Sequence, residues 1–281
     1  MKKTNIVFAN PIMSRTGLGN MLITWARAEV FARDHQCPIL APRWTHWMRI
    51  GPWLRGDKDK RFYLSMFSNT GMIDGAKKMA IKILGNHVLE TQLRHLEEIK
   101  NKSRRPVCVD FLGRKDFFRP FLKEHEYIKK RLFTIASRQI CDEVAGFVAQ
   151  THPFIAVNIR RGDFCGTPFY TENDWFLRAL DLVLSEDSRR FAKFRIVIFS
   201  DAFPEELHFI TKKYPNAVLC PKIPALSQLL WMSHGERLIA SAHSSFSMWA
   251  AWLGQMPNYW SKIKDPPILS ENNNNFVTML D

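Results

Sequence analysis

Short apolar runs alternate along the chain with stretches in which apolar residues recur every three or four positions. The alternation is clearest in the second half. Phe154-Ile155-Ala156-Val157-Asn158-Ile159 is apolar, β-branched and of strand length. Thr171-Glu172-Asn173-Asp174 then resembles a capping box, and Phe176, Leu177, Leu180, Leu182, Val183 and Leu184 follow at roughly helical spacing, which predicts a helix. Residues 194–199 predict a strand, 204–214 a helix with Pro in its first turn, and 217–219 another strand. Residues 226–233 predict a helix, 237–240 a strand, and 244–253 a helix ended by Gly254. Buried strands separated by amphipathic helices imply a mainly parallel, Rossmann-like sheet with helices on both faces.

The first half is less regular. Residues 6–9 predict a strand, Gly17-Leu18-Gly19-Asn20 a turn, and 21–33 a helix, which together make one more βα unit. Residues 42–61, rich in Pro, Gly and Trp, predict a long loop, and Pro106-Val107-Cys108-Val109-Asp110-Phe111-Leu112 a strand. A domain boundary is expected near His152-Pro153, giving domains 1–152 and 153–281. The run Asn272-Asn273-Asn274-Asn275 predicts a loop or frayed end.

Composition narrows the class. With 46% hydrophobic and 24% charged residues among 281, the chain is globular, not disordered or collagenous. No run approaches the roughly 18 apolar residues of a membrane-spanning helix. The apolar stretch after Met1-Lys2-Lys3 stops at Asn10-Pro11, too short for a signal peptide, and reads as a strand. Cys37, Cys108, Cys141, Cys165 and Cys220 are scattered without a Cys-x-x-Cys pair, which argues for a reducing compartment and against structural zinc. The expected location is the cytoplasm, with peripheral contact at the inner membrane face as an extension of it.

Charge divides the chain. The total is 40 − 27 = +13; residues 1–150 hold 27 basic and 14 acidic side chains, 27 − 14 = +13, and residues 151–281 hold 13 of each, 13 − 13 = 0. The entire excess therefore lies in the first half, where it favours an anionic partner: nucleic acid, a membrane surface or an acidic substrate.

Ligands of open parallel sheets bind beyond the carboxyl ends of the strands. Those ends in the second half carry Asn158-Ile159-Arg160-Arg161-Gly162-Asp163, Ser200-Asp201, and Ser241-Ala242-His243-Ser244-Ser245. Two arginines beside a glycine, with serines at a helix start, suit a nucleotide diphosphate. Each cluster alone also fits an ordinary ion pair or helix cap. Their agreement on one edge is what points to a site.

These residues resemble a family. Asn158-Ile159-Arg160-Arg161-Gly162-Asp163-Phe164 is similar to the His-x-Arg-Arg-Gly-Asp-Tyr motif of the α-1,2-fucosyltransferases of glycosyltransferase family 11. Ile198-Phe199-Ser200-Asp201 resembles that family's Phe-Ser-Asp-Asp, and Ser244-Ser245-Phe246-Ser247-Met248-Trp249-Ala250-Ala251-Trp252-Leu253 its Ser-Ser-Phe-Ser-Trp-Trp-Ala-Ala-Trp-Leu. Gly17-Leu18-Gly19-Asn20-Met21 resembles its Gly-Leu-Gly-Asn-Gln, and residues 111–118 resemble a further motif weakly. The resemblance implies a GT-B-like α/β fold of two Rossmann-like halves facing a cleft. It implies an inverting, metal-independent transfer of fucose from GDP-fucose to a glycan hydroxyl, in α-1,2 linkage, without a cofactor.

By the same resemblance Arg160 is catalytic, holding the β-phosphate and stabilising the departing GDP. Asn158, Arg161, Asp163, Ser200, Ser244, Ser245 and Phe246 become substrate-binding, Asp201 a partner of guanine or ribose, and Gly19 and Asn20 contacts to the sugar. Two departures leave alternatives open. Asn158 stands where the family has His, and Ala202 replaces the second acid of Ser-Asp-Asp. Another GDP-sugar, or a non-catalytic nucleotide-sugar or glycan-binding protein, fits the same pattern.

Other signals rank lower. Asp57-Lys58-Asp59 spells a metal-binding Asp-x-Asp, but Arg55, Lys60 and Arg61 around it oppose a cation. Trp44, Trp47 and Trp53 interleaved with Arg43, Arg49 and Arg55 read as a packed loop, or as a patch for sugar or membrane. No nucleic-acid module is present, so nucleic acid is not expected as a partner. The expected partners are a nucleotide-sugar donor and a glycan acceptor, acidic or lipid-linked, with an anionic membrane as a peripheral contact. Glu29, Asp57 and Asp116 are candidates for the catalytic base, and the sequence does not rank them.

Overall fold

The computed structural model describes residues 6–13, 16–45, 62–261, 266–271, 273 and 276–281, with the backbone alone at Asp163. They form an α/β chain that divides into two compact units between Ser137 and Arg138.

The first unit is built on three parallel strands, β1 (Val7–Ile12), β2 (Asn86–Leu89) and β3 (Val107–Leu112), in the order β1-β3-β2. Valine and isoleucine suit strands enclosed on both faces, and all but the last residue of β1 and of β3 are buried. Helix α1 (Leu18–Asp34) follows β1 and is buried nearly all round, so the polar side chains it carries inward need partners. Its one buried carboxylate, Glu29, accepts from Arg131 Nη2 (2.9 Å), Arg131 Nε (3.2 Å), Trp25 Nε1 (3.2 Å) and Tyr127 Oη (3.3 Å). Around this core lie α2 (Gly75–Leu84), α3 (Leu96–Lys102) and α4 (His125–Ile135).

The second unit begins with α5 (Arg138–Thr151) and holds six parallel strands. These are β4 (Phe154–Ile159), β5 (Arg195–Ser200), β6 (Ala217–Leu219), β7 (Arg237–Ala240), β8 (Asn258–Ser261) and β9 (Val277–Leu280), ordered β6-β5-β4-β7-β8-β9. Between them run α6 (Asn173–Glu186), α7 (Ser188–Phe191), α8 (His208–Lys213), α9 (Ala225–Met232) and α10 (Ser245–Gly254).

The period of two along each strand sorts the core into two layers. Ile155, Val157 and Ile159 of β4, with Ile196 and Ile198 of β5, pack on Phe176, Leu180 and Val183 of α6. On the opposite face Trp231 of α9 stands 5.1 Å from the Phe199 ring and stacks on Phe147 of α5 at 4.5 Å. Trp231 Nε1 also donates to Thr151 Oγ1 (3.1 Å). Helix α5, which a boundary at residue 152 leaves in the first half, is thereby packed on the second sheet.

The chain runs outward from β4 through β5 to β6, then returns to β7 and continues to β8 and β9 on the other side. Strands β4 and β7 are adjacent and parallel, so their carboxyl ends flank the switch point where open α/β sheets take ligands.

Three expectations change, and one strand is new. Of the asparagine run expected to be a loop or frayed end, only Asn273 is among the described residues, and the chain beyond it forms β9, a strand the sequence did not predict, which pairs with β8 from Asn258↔Val277 to Ser261↔Leu280. The helix expected at 204–214 is a 3-10 turn (Pro204–Leu207) followed by α8. The capping box at 171–174 makes no side-chain cap bond at the start of α6, because Thr171 Oγ1 turns inward to Ser261 Oγ (3.0 Å). Gly254 does not supply the left-handed end of α10; Gln255 does, at φ +49°, and Gly254 is the last helical residue. A Cβ on Gly254 would sit 2.2 Å from the Ser233 carbonyl oxygen, so glycine is required there by close approach.

Candidate functional site

At the switch point the loop after β4 is pinned from two sides. The Arg160 N–H donates to Ser241 Oγ at the end of β7 (2.8 Å), and the Arg161 N–H to Asp201 Oδ1 after β5 (2.7 Å). The other Asp201 oxygen faces Arg160 Nη1 at 3.1 Å. One carboxylate therefore fixes the loop backbone and aims the Arg160 side chain, which remains 31% exposed at the sheet edge. Gly162 makes room for this, since a Cβ there would lie 2.6 Å from Asp201 Oδ2. Arg160 also stands over the Phe164 ring, 5.8 Å from its centroid.

Arg161, expected as a second ligand-binding arginine, is 3% exposed and committed inside the fold. It donates to the Thr171 carbonyl (2.6 Å) and to Asn173 Oδ1, and lies over Tyr170 at 4.4 Å. Asn158 is also buried, and its Oδ1 accepts from Ser247 Oγ (2.8 Å). It ties β4 to the first turn of α10. Ser200 donates to the Ile159 carbonyl (2.7 Å) and accepts from the Ala202 N–H (3.0 Å), joining β5 to β4. Asp201, expected to meet guanine or ribose, is the residue that orients Arg160. The backbone of Asp163 lies in the 3-10 turn Gly162–Phe164.

Ser244 caps α10, its Oγ accepting from the Ser247 N–H at 3.2 Å. Ser245 and Phe246, both half-buried, form the first turn, whose N–H groups no helix can satisfy internally. With the helix dipole they make an anion-attracting terminus in the loop next to the Arg160 loop. His243, just before the cap, is exposed, takes the left-handed φ of +53°, and meets the Phe169 ring edge-on at 4.6 Å. Ser241 lies in the polar cluster visible in the sequence, where its role as the anchor of the Arg160 N–H is not legible. Its signal was a hydroxyl at the end of a strand beside the switch point.

The first unit carries the remaining expected residues at the carboxyl edge of its own sheet. Gly19 is buried in the first turn of α1, and Asn20 is half-buried. Asn20 Oδ1 is buried with no hydrogen-bond partner among the described residues, the kind of orphan acceptor that a ligand can satisfy. Nearby, Arg27 of α1 donates to the carbonyls of Leu112 (2.8 Å), Gly113 (3.0 Å) and Lys115 (3.1 Å). Burial pulls its pKa below the usual guanidinium value, with Glu90 and Asp116 opposing. It braces a loop in which Asp116 and Phe117 both take left-handed φ.

Among the candidate bases, Glu29 is removed by its four donors and its burial. Asp116 is exposed, and Asp57 lies outside the described residues, as do Asp59, Trp47 and Trp53. Burial pushes the thiols of Cys37 and Cys108 up to about 11 and that of Cys220 to about 12, which keeps them protonated and poor nucleophiles at neutral pH. Among the described residues no group of three or more His, Cys, Asp or Glu is placed to hold a metal ion.

No protein-family model and no curated protein sequence matches the chain. Solved structures do. The crystal structure of NodZ alpha-1,6-fucosyltransferase soaked with GDP-fucose is similar over 90% of this chain and 94% of that one, with a TM-score of 0.58 and 13% identity. POFUT1 in complex with GDP is similar over 92% and 98%, at 0.51 and 14%. A mutant of Arabidopsis thaliana FUT1 in complex with GDP is similar over 97% and 74%, at 0.52 and 12%. At such identities the likeness is one of fold, and the fold is the GT-B-like α/β class expected from the sequence.

Proposed function

We propose that the chain is a glycosyltransferase that transfers fucose from GDP-fucose to a glycan hydroxyl. The observation that carries this reading is Arg160, held at the switch point by Asp201 and Ser241 beside the first turn of α10. A fold shared with fucosyltransferase structures supports the choice of donor.

The chemistry follows from where charge develops. As the bond between fucose and the β-phosphate oxygen breaks, negative charge grows on that oxygen. A preorganised cation interacts with it more strongly in the transition state than before, and this difference lowers the barrier. Arg160 supplies the cation and Asp201 its orientation, while the N–H groups of Ser245 and Phe246 and the Ser244 hydroxyl supply fixed dipoles. Arg161, Asn158 and Ser200 act one step back by holding the loop and helix in place, and Asp163 is kept as a donor contact by the family resemblance alone. With charge neutralised by an arginine and a helix terminus, the reaction is proposed to need no metal. Attack by the acceptor from the face opposite GDP inverts the anomeric centre, and the resemblance favours an α-1,2 product.

Gly19 and Asn20 are proposed to contact the sugar, with the orphaned Asn20 Oδ1 accepting from a hydroxyl. The acceptor is proposed to be an acidic or lipid-linked glycan, because the whole +13 excess lies in residues 1–150.

The test is transfer from GDP-fucose to a panel of neutral, acidic and lipid-linked glycans, followed by mass spectrometry with and without EDTA. A fucosylated product and released GDP, undiminished by EDTA, are expected. GDP-fucose binding with neither hydrolysis nor transfer across the panel would instead assign the chain as a binding protein. Faster turnover of another GDP-sugar would reassign the donor.

A further inference from the structure

The outward side of α2 is apolar, the reverse of what a surface helix normally presents. None of its residues is buried, yet Met79 is 56% exposed, Ile83 72% and Leu84 61%. At about 100° per residue, Ala76, Met79, Ala80 and Ile83 share one side with Leu84 at its margin. Lys77 and Lys82 bracket that side. Ile81, pointing the other way, packs with Ile73 on Phe8, Leu40 and Cys108.

The surface continues at the amino edge of the first sheet. Asn86 N–H donates to the Pro106 carbonyl (2.7 Å) and Val107 N–H to the Ile6 carbonyl (3.0 Å), so the end of α2, Ile6 and the segment before β3 meet there. Ile6 is 59% exposed, and Arg104 and Arg105 are exposed beside it. This edge is opposite the carboxyl edge that carries Gly19 and Asn20. Exposed aliphatic side chains ringed by cations, in the half with all of the excess positive charge, match the arrangement of an interfacial helix. A second copy fits poorly, because a twofold contact would bring these cations face to face.

We propose that α2 and the amino edge of the first sheet dock on an anionic phospholipid bilayer. The helix lies in the headgroup plane with Met79, Ile83 and Leu84 toward the acyl chains and Lys77, Arg104 and Arg105 on lipid phosphates. No helix among the described residues is long and apolar enough to cross a membrane, so this contact is peripheral. The inference goes beyond the proposed function, since this edge lies opposite the one that carries the proposed sugar contacts, and it can fail separately.

The test is co-sedimentation of the full chain with phosphatidylcholine vesicles containing one third phosphatidylglycerol, with pure phosphatidylcholine as the control. Binding to the anionic vesicles alone is expected, weakening as salt is raised from low to physiological strength. The triple variant Met79→Ser, Ile83→Gln, Leu84→Gln is expected to bind at least about tenfold more weakly, with unchanged circular dichroism, melting temperature and GDP affinity. Absent binding to anionic vesicles, or equal binding by the folded triple variant, would overturn the proposal. So would a concentration-dependent dimer in vesicle-free light scattering that the triple variant abolishes, which assigns the face to a second copy. The assay contains neither donor nor acceptor, so its failure leaves the donor site untouched, and a failure of GDP binding leaves the docking face untouched.

Discussion

Arg160 and Asp201 form the central pair at the scale of single residues. Arg160→Ala is expected to cut turnover by about two to three orders of magnitude while the protein stays folded, because it removes a charge needed most in the transition state. Steady-state kinetics alongside a thermal melt check this. Asp201→Asn keeps the volume but weakens the hold on the guanidinium, and GDP affinity is expected to fall about tenfold, or about 1.4 kcal/mol. Gly162→Ala should move affinity the same way, since its Cβ would lie 2.6 Å from Asp201 Oδ2. The sequence made this constellation visible as Arg160, Arg161 and Asp201 on one edge, but not the division of labour. Which of two adjacent arginines faces solvent depends on the turn that follows the strand, and Arg161 is drawn inward by Thr171 and Asn173, partners ten or more residues away. Asn158 likewise read as a ligand contact because its partner, Ser247, lies on a helix 89 residues later.

At the scale of elements, α10 is set by its first turn. Ser244→Ala is expected to cost about 1 kcal/mol as a lost cap. Ser247→Ala is expected to cost about 1–3 kcal/mol because it leaves the buried Asn158 Oδ1 unsatisfied. Urea unfolding with an unchanged slope measures both. The junction of α6 and α8 responds to acid. Lys213 and then Tyr214 hold the Asp181 carboxyl below its usual range, and the Gly75 N–H and then Lys78 do the same for Asp74 at the start of α2. A carboxyl with a depressed folded value contributes stability that is present above the ordinary value of about 4 and lost as pH falls through the folded one. Melting temperature is therefore expected to drop on acidification below about pH 4, and less so in Asp181→Asn. Elements with strong periodicity, α1, β4, β5, β7 and α10, were legible in the sequence. Strands β2 and β8 were not, because Asn86 and His87, and Asn258 and Ser261, break the apolar run that marks β7 at the same length; β9 was not, because it follows an asparagine run and gains its extension by pairing with β8.

At the scale of the whole molecule, a +13 excess would suggest that the cations serve the nucleotide. The candidate diphosphate site instead lies in the neutral half, where one oriented arginine and a helix terminus suffice for a small anion. In the proposed reading the excess serves the acceptor and the docking face. A ligand that binds only the folded state raises the melting temperature, so GDP is expected to stabilise the protein, by about 2.7 kcal/mol at a hundred times its dissociation constant. UMP, which lacks both guanine and the β-phosphate, should not. The most direct measurement of the central claim is calorimetric titration of GDP into the wild-type chain and into folded Arg160→Ala. Saturable binding that weakens at least about tenfold in the variant is the predicted result; no binding to the wild type, or equal affinity in both, would contradict it.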